Sequence, residues 1–176
     1  MANKPEYWVI DNFLSDEQFK TIQNFMLGSD LPWHYNDSKV TENQKEKESP
    51  YGFQFVHPFY NTHLHKSDHI NILNPLIEKI SPLAIVKIKA NMTMRTPELI
   101  EYGYHTDVVT DTGLLTAVFY LNNNNGYTKL IDGTKVESKE NRIVIFDSQA
   151  YHTGTSCTDE RFRAVINLNY YPFKRG

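Results

Sequence analysis

Across residues 85–95 the chain alternates without a break. Val86, Ile88, Ala90, Met92 and Met94 fall on one side, and Lys87, Lys89, Asn91, Thr93 and Arg95 on the other. A period of two sends successive side chains to opposite faces of a strand. A strand of this length with one apolar face needs a sheet around it and a second layer against that face. The second half of the chain has the same character throughout. Residues 114–122 are strand-like and end in a polar turn, Asn122 to Gly126. Residues 127–131 and 134–137 flank Asp132 and Gly133, a pair that favours the positive φ angles of a tight hairpin. Residues 142–146 read as a buried strand and residues 163–171 as the last one.

The first half is mixed. Residues 7–10 predict a short strand. Ser15 and Gln18 form a capping-box pattern, followed by Phe19, Ile22 and Met26 at helical spacing and a stop at Gly28. Ser67 is expected to cap a second helix reaching Ile80, with Ile70, Leu73, Ile77 and Ile80 as its buried stripe and Pro75 as an interruption. Residues 51–57 alternate like a strand. Residues 37–49 are highly charged and read as a solvated loop, or as a lid over a groove that Trp33, His34 and Tyr35 would help to shape. Helices followed by many strands predict a mainly β fold with flanking helices: a sandwich or jelly roll with the helices packed on one sheet. At 176 residues one domain is expected, a helical support over about 1–84 and a β core over about 85–173.

Composition narrows the function classes. Eleven Tyr and ten Phe suit half-buried pleated surfaces. A net charge of −3 gives no global basic field, so nucleic acid is not indicated as a partner by charge. The single cysteine, Cys157, cannot close an internal disulfide, which fits a reducing compartment. No apolar run approaches the roughly 20 residues of a spanning helix, and the first residues lack a signal-peptide core. A cytoplasmic chain with no membrane partner is the expectation.

The chemistry rests on His105-Thr106-Asp107 and, further on, His152. A His and an Asp two residues apart on an extended segment point the same way, so both can bind one ion from one side. Two imidazoles and a carboxylate leave three positions open on an octahedral ion. Fe(II) suits this donor set, as do Mn, Co and Ni. Alone, such a triplet is weak evidence, and a solvated strand end is its bland alternative. His34, His57, His63, His65 and His69 have no paired carboxylate in strand context, and surface or satisfied roles are expected for them.

With Phe119-Tyr-Leu-Asn122, Gly126 and its hairpin, Ile143-Val-Ile-Phe146, His152-Thr-Gly154 and Arg163-Ala-Val-Ile-Asn-Leu-Asn169, the order of motifs resembles the 2-oxoglutarate- and Fe(II)-dependent oxygenases, in particular their prolyl 4-hydroxylase-like branch. The opening residues 9–15 are similar as well. The resemblance implies a double-stranded β-helix (jelly roll) in which His105, Asp107 and His152 hold and work the iron. It implies 2-oxoglutarate and dioxygen as co-substrates, with ascorbate as an accessory reductant. The distal carboxylate of 2-oxoglutarate would meet an arginine. Arg161 and Arg163 lie nine and eleven residues beyond His152 with the same parity; Arg163 is favoured because it heads the final strand. Tyr120 would help to hold that carboxylate, and Asn91 is a candidate for a co-substrate or substrate contact. The implied substrate is first a prolyl or other residue of a peptide or protein, then a nucleobase, then a small molecule. Rival readings are a non-catalytic jelly-roll binding module and a cupin-like metalloenzyme that ignores 2-oxoglutarate.

Overall fold

A computed structural model describes residues 6–39, 49–62, 65–107 and 113–173. The elements run β1 (Tyr7–Ile10), α1 (Asp16–Leu27), β2 (His34–Asn36), β3 (Gln54–Asn61), β4 (His65–Lys66), a 3-10 turn (Ile70–Leu73) and α2 (Asn74–Ile80). Then come β5 (Pro82–Met94), β6 (Leu115–Tyr120), β7 (Tyr127–Leu130), β8 (Lys135–Glu137), β9 (Ile143–Asp147), β10 (His152–Gly154) and β11 (Phe162–Pro172). Two antiparallel sheets form. The larger has the order β1-β9-β6-β11-β5-β3-β2, with β4 on β3, and the smaller is β10-β7-β8. This is the expected jelly roll with helices on one sheet.

The helix starts follow local chemistry. Ser15 accepts the Gln18 backbone amide at 3.3 Å, and Gln18 returns a contact to the Ser15 amide at 3.4 Å, closing the capping box. Gly28 caps the C-terminus of α1 in an extended conformation rather than a left-handed one. The second helix differs from the sequence expectation. Ser67 does not start it: its hydroxyl lies 2.9 Å from His57 Nε2, and a 3-10 turn precedes α2. Pro75 sits in the first turn of α2, where its missing amide hydrogen costs nothing, so it begins a helix instead of kinking one.

The two faces of β5 and β11 divide the molecule. Ile88, Ala90, Ala164, Ile166 and Leu168 pack with Phe19, Ile22 and Met26 of α1 and Leu76 of α2 in the main core. The opposite faces of the same strands turn toward the smaller sheet. The hairpin at Asp132-Gly133 forms as expected, with Gly133 at φ +89°. The chain from β6 into the next loop is pinned to the start of β11. Asn122 donates to the Phe162 carbonyl at 2.8 Å and accepts from the Ala164 amide at 3.0 Å. That pair explains why an asparagine ends this strand, and it fixes where Arg163 emerges. Among the described residues no helix is long and apolar enough to cross a membrane. Residues 40–48, most of the charged segment expected as loop or lid, lie outside the described residues.

Candidate functional site

Between the sheets lies a cleft enclosing about 780 Å³, part of it open to solvent. His105, Asp107 and His152 converge at one part of it, with ligand atoms all within 4.8 Å of one another. The backbone brings the two histidines together. His105 and His152 exchange both amide hydrogen bonds, each 3.0 Å, and their rings stand 4.6 Å apart. Each ring is oriented through Nδ1, which meets a main-chain carbonyl: Gly103 at 3.2 Å for His105 and Ala150 at 3.0 Å for His152. A carbonyl can only accept, so Nδ1 carries the proton and each Nε2 keeps its lone pair for a ligand.

Asp107 is tied from the opposite sheet. Its Oδ2 accepts from Thr116 Oγ1 at 2.8 Å and from Asn169 Nδ2 at 3.1 Å, and Asn169 also donates to Thr116 at 2.9 Å. Oδ1 is left facing the imidazoles, 3.9 Å from His105 Nε2 and 3.8 Å from His152 Nε2. Those separations are too long for hydrogen bonds and suit donors that share an ion. Burial, then the neighbouring His152, lower the pKa of His105, which favours the neutral imidazole a metal needs. For Asp107, burial alone would raise the pKa. The two histidines, the Thr116 hydroxyl and the Asn169 amide together outweigh it and hold the carboxyl below its ordinary range. The residues fit a divalent cation in donor type, protonation and orientation.

Arg163 lines the same cleft and is buried. Its Nε donates to Ser138 Oγ at 2.8 Å and its Nη2 to Thr128 Oγ1 at 3.0 Å, while the guanidinium lies 5.6 Å from the centre of the Tyr120 ring. No carboxylate lies within ion-pair distance among the described residues. Burial lowers its pKa below the ordinary guanidinium range, the direction expected of a cation without a countercharge. Two glycines make the room. A Cβ on Gly126 would stand 2.7 Å from Arg163 Cδ and 2.5 Å from the Ser156 carbonyl oxygen. A Cβ on Gly154 would come within 3.5 Å of Nη1.

No family model and no curated protein matches the sequence. Solved structures do match. A prolyl hydroxylase from Trichoplax adhaerens, in complex with a hypoxia inducible factor oxygen degradation domain peptide fragment, is similar at a TM-score of 0.64 and 16% identity, over 96% of this chain and 84% of that one. A prolyl-4-hydroxylase from Pseudomonas putida aligns at 0.56 and 15%, over 96% and 94%. The non-heme α-ketoglutarate-dependent epimerase SnoN of nogalamycin biosynthesis aligns at 0.65 and 12%, over 96% and 78%. The chain has the fold of the 2-oxoglutarate- and Fe(II)-dependent oxygenases. At these identities it is the fold that is shared.

Within this oxygenase fold the expected residues take definite places. Arg163 is in the cleft wall, whereas Arg161 is exposed. Asn91 lines the cleft, as do Lys87, Lys89 and Thr93 of the same face of β5, and Arg95 is exposed beyond it. Tyr120 does not line the cleft. It is fully buried behind the wall, with its hydroxyl 2.8 Å from Thr128 Oγ1, and so reaches the cleft only through Thr128 and Arg163. Trp33, His34 and Tyr35 do not line it either. His57 is buried and satisfied, with Pro32 O at 2.7 Å and Ser67 Oγ at 2.9 Å. Cys157 is buried, and burial raises its thiol pKa, consistent with an unreactive position. Thr116, Thr128, Ser138, Asn167 and Asn169 are additional polar groups at or behind the site. The buried Asn167 Oδ1 has no partner among the described residues. The signal for part of this set was parity: Arg163, Val165, Asn167 and Asn169 share one face of β11.

Proposed function

We propose that this protein is an Fe(II)- and 2-oxoglutarate-dependent dioxygenase that hydroxylates a residue, first of all a prolyl residue, of a peptide or protein. One observation carries the reading. Three metal-competent donors with free lone pairs share a cleft with a buried arginine that has no carboxylate within ion-pair distance among the described residues. A binding module has no use for the first, and a cupin-like metalloenzyme has no use for the second.

His105, Asp107 and His152 would hold the iron on one side, leaving its other positions toward the cleft. Arg163, anchored by Ser138 and Thr128 and backed by the Tyr120 ring, would take the distal carboxylate of 2-oxoglutarate through its remaining N–H groups. The bound iron, with 2-oxoglutarate and dioxygen, supplies the oxidative decarboxylation to succinate and carbon dioxide that inserts one oxygen atom into a substrate C–H bond. The chain's own work is positional. The paired amide bonds fix the two rings, the Thr116 and Asn169 contacts fix the carboxylate, and the glycines at 126 and 154 keep the guanidinium in place. The peptide fragment in the Trichoplax complex supports a peptide or protein as the substrate class.

Anaerobic titration with Fe(II) and then 2-oxoglutarate tests the reading. A weak visible charge-transfer band should grow with one equivalent of each and should be lost in Arg163→Met at matched concentration. Iron binding with no band on adding 2-oxoglutarate contradicts it.

A further inference from the structure

The cleft carries more positive charge than an iron site with one dicarboxylate requires. Among the described residues its lining includes Lys39, Lys87, Lys89 and Arg163 against a single carboxylate, Asp107, although the chain as a whole carries −3. Two of the four cations have evident duties. Arg163 is accounted for above. Lys39 donates to the carbonyls of Tyr51 and Phe53 at 3.0 and 2.7 Å and lies 3.7 Å from the centre of the Tyr102 ring, a strap across the cleft margin.

Lys87 and Lys89 are different. They stand two residues apart on one face of β5, so both ammonium groups are sent to the same side. Neither ammonium group has a hydrogen bond or an ion pair among the described residues. Lys89 is half-buried, and its pKa falls to about 8 through burial, then through repulsion from Lys87. Two like charges held together in a partly desolvated wall are costly unless an anion joins them. Strand register separates this pair from the arginine. Lys87 stands across from Asn169 and Lys89 across from Asn167, whereas Arg163 pairs with Thr93, four residues from Asn167 and six from Asn169 along β11. At about 3.3 Å per residue that is roughly 13 Å of strand to Lys89 and roughly 20 Å to Lys87. Asn169 is also the residue that holds Asp107, so the lysines flank the triad end of the cleft.

We propose that Lys87 and Lys89 form an oxyanion subsite for the substrate, so that the group hydroxylated lies next to a carboxylate or phosphate. This rests on the dioxygenase reading and names the chemical class of its substrate. The subsite adds a requirement that a neutral prolyl segment does not meet.

Matched probes test it: short prolyl peptides with glutamate, phosphoserine or glutamine beside the proline, and N-acetylproline against its amide. Two quantities are read for the wild type and for Lys87→Met/Lys89→Met: substrate-stimulated succinate formation, and probe binding by saturation-transfer NMR, which needs no turnover. The anionic member of a set should exceed its neutral counterpart by about tenfold or more in kcat/KM and in affinity, through KM. In the double variant the difference should shrink to less than about twofold. Glutamate against phosphoserine tells which oxyanion is preferred, and N-acetylproline against the peptides tells whether it belongs to a free acid or to a chain. Equal binding of acid and amide to the wild type overturns the proposal. So does a double variant whose only change is weaker 2-oxoglutarate binding. Absence of iron-dependent 2-oxoglutarate consumption under every condition sinks the underlying dioxygenase reading instead, and the NMR comparison still decides the subsite.

Discussion

The two faces of β11 obey different rules. Ala164, Ile166 and Leu168 look toward α1 and α2 and are sealed by apolar neighbours. Arg163, Asn167 and Asn169 look the other way, are also largely removed from water, and are polar. The first face stabilises the fold by burial, at about 25 cal/mol per Å² of apolar surface. The second imposes a cost. Among the described residues its cation has hydroxyls but no carboxylate, and the Asn167 oxygen has no donor. The same register that aligns the core therefore also aligns a strip of largely buried polar groups along the cleft.

The largest expected effect lies on the polar strip. Asp107→Ala removes the one carboxylate of the triad and should lower iron-dependent 2-oxoglutarate turnover by more than about 100-fold. Asn169→Ala, which only releases the Asp107 carboxylate, should cost about 10–100-fold, the usual range for an outer partner. Metal titration of both variants checks this order, and a reversed order would mean that Asp107 is not a ligand.

The next effect sets one face directly against the other. Ile166→Ala should destabilise the protein by about 2–5 kcal/mol in denaturant unfolding, because the site is fully buried. Arg163→Met should leave the ligand-free protein as stable as the wild type or more so, while weakening 2-oxoglutarate binding by more than about tenfold. A strongly destabilised Arg163→Met would show that the guanidinium is structural.

The smallest effect depends on pH. Burial holds Lys89 at about 8 against its usual 10.5, so the folded chain gives up this proton before the unfolded chain does. Between about pH 8 and pH 10.5 the unfolded state binds the extra proton, and stability rises with pH. The penalty is full below pH 8 and gone by pH 10.5. Lys89→Met should therefore unfold at higher denaturant concentration than the wild type at pH 7, with the advantage closing across that window. An advantage constant in pH would assign it to packing.

Much of this division was legible in the sequence. The alternation over residues 85–95 separated Lys87, Lys89, Asn91 and Thr93 from Ile88 and Ala90, and the structure keeps them apart. Periodicity also located β6, the Asp132-Gly133 hairpin and β11, and the capping box located α1. The second helix was misread because Ser67 does accept the His69 amide as a cap would, while also meeting His57, but the turn it opens leads into a 3-10 segment and the helix itself begins only at Asn74. Residues 105, 107 and 152 were visible as metal-ligand types. Their supports were not, since Thr116 and Asn169 meet Asp107 only through the pairing of β6 with β11. Tyr120 shows the limit from the other side. Its motif put it near the arginine, but only the fold shows that it stands behind the wall and not in it.

The glycine at 126, just before β7, has a consequence for mutational surveys. It lies opposite the strand that carries Arg163, and the room it leaves is filled by the arginine's aliphatic stem and by the Ser156 main chain. A methyl group there is enough to collide with both. A variant screen scored on activity would record position 126 as intolerant even of alanine, a loop site behaving like a binding residue without touching any ligand. Part of the cleft wall's shape is thus set by an atom the chain does without.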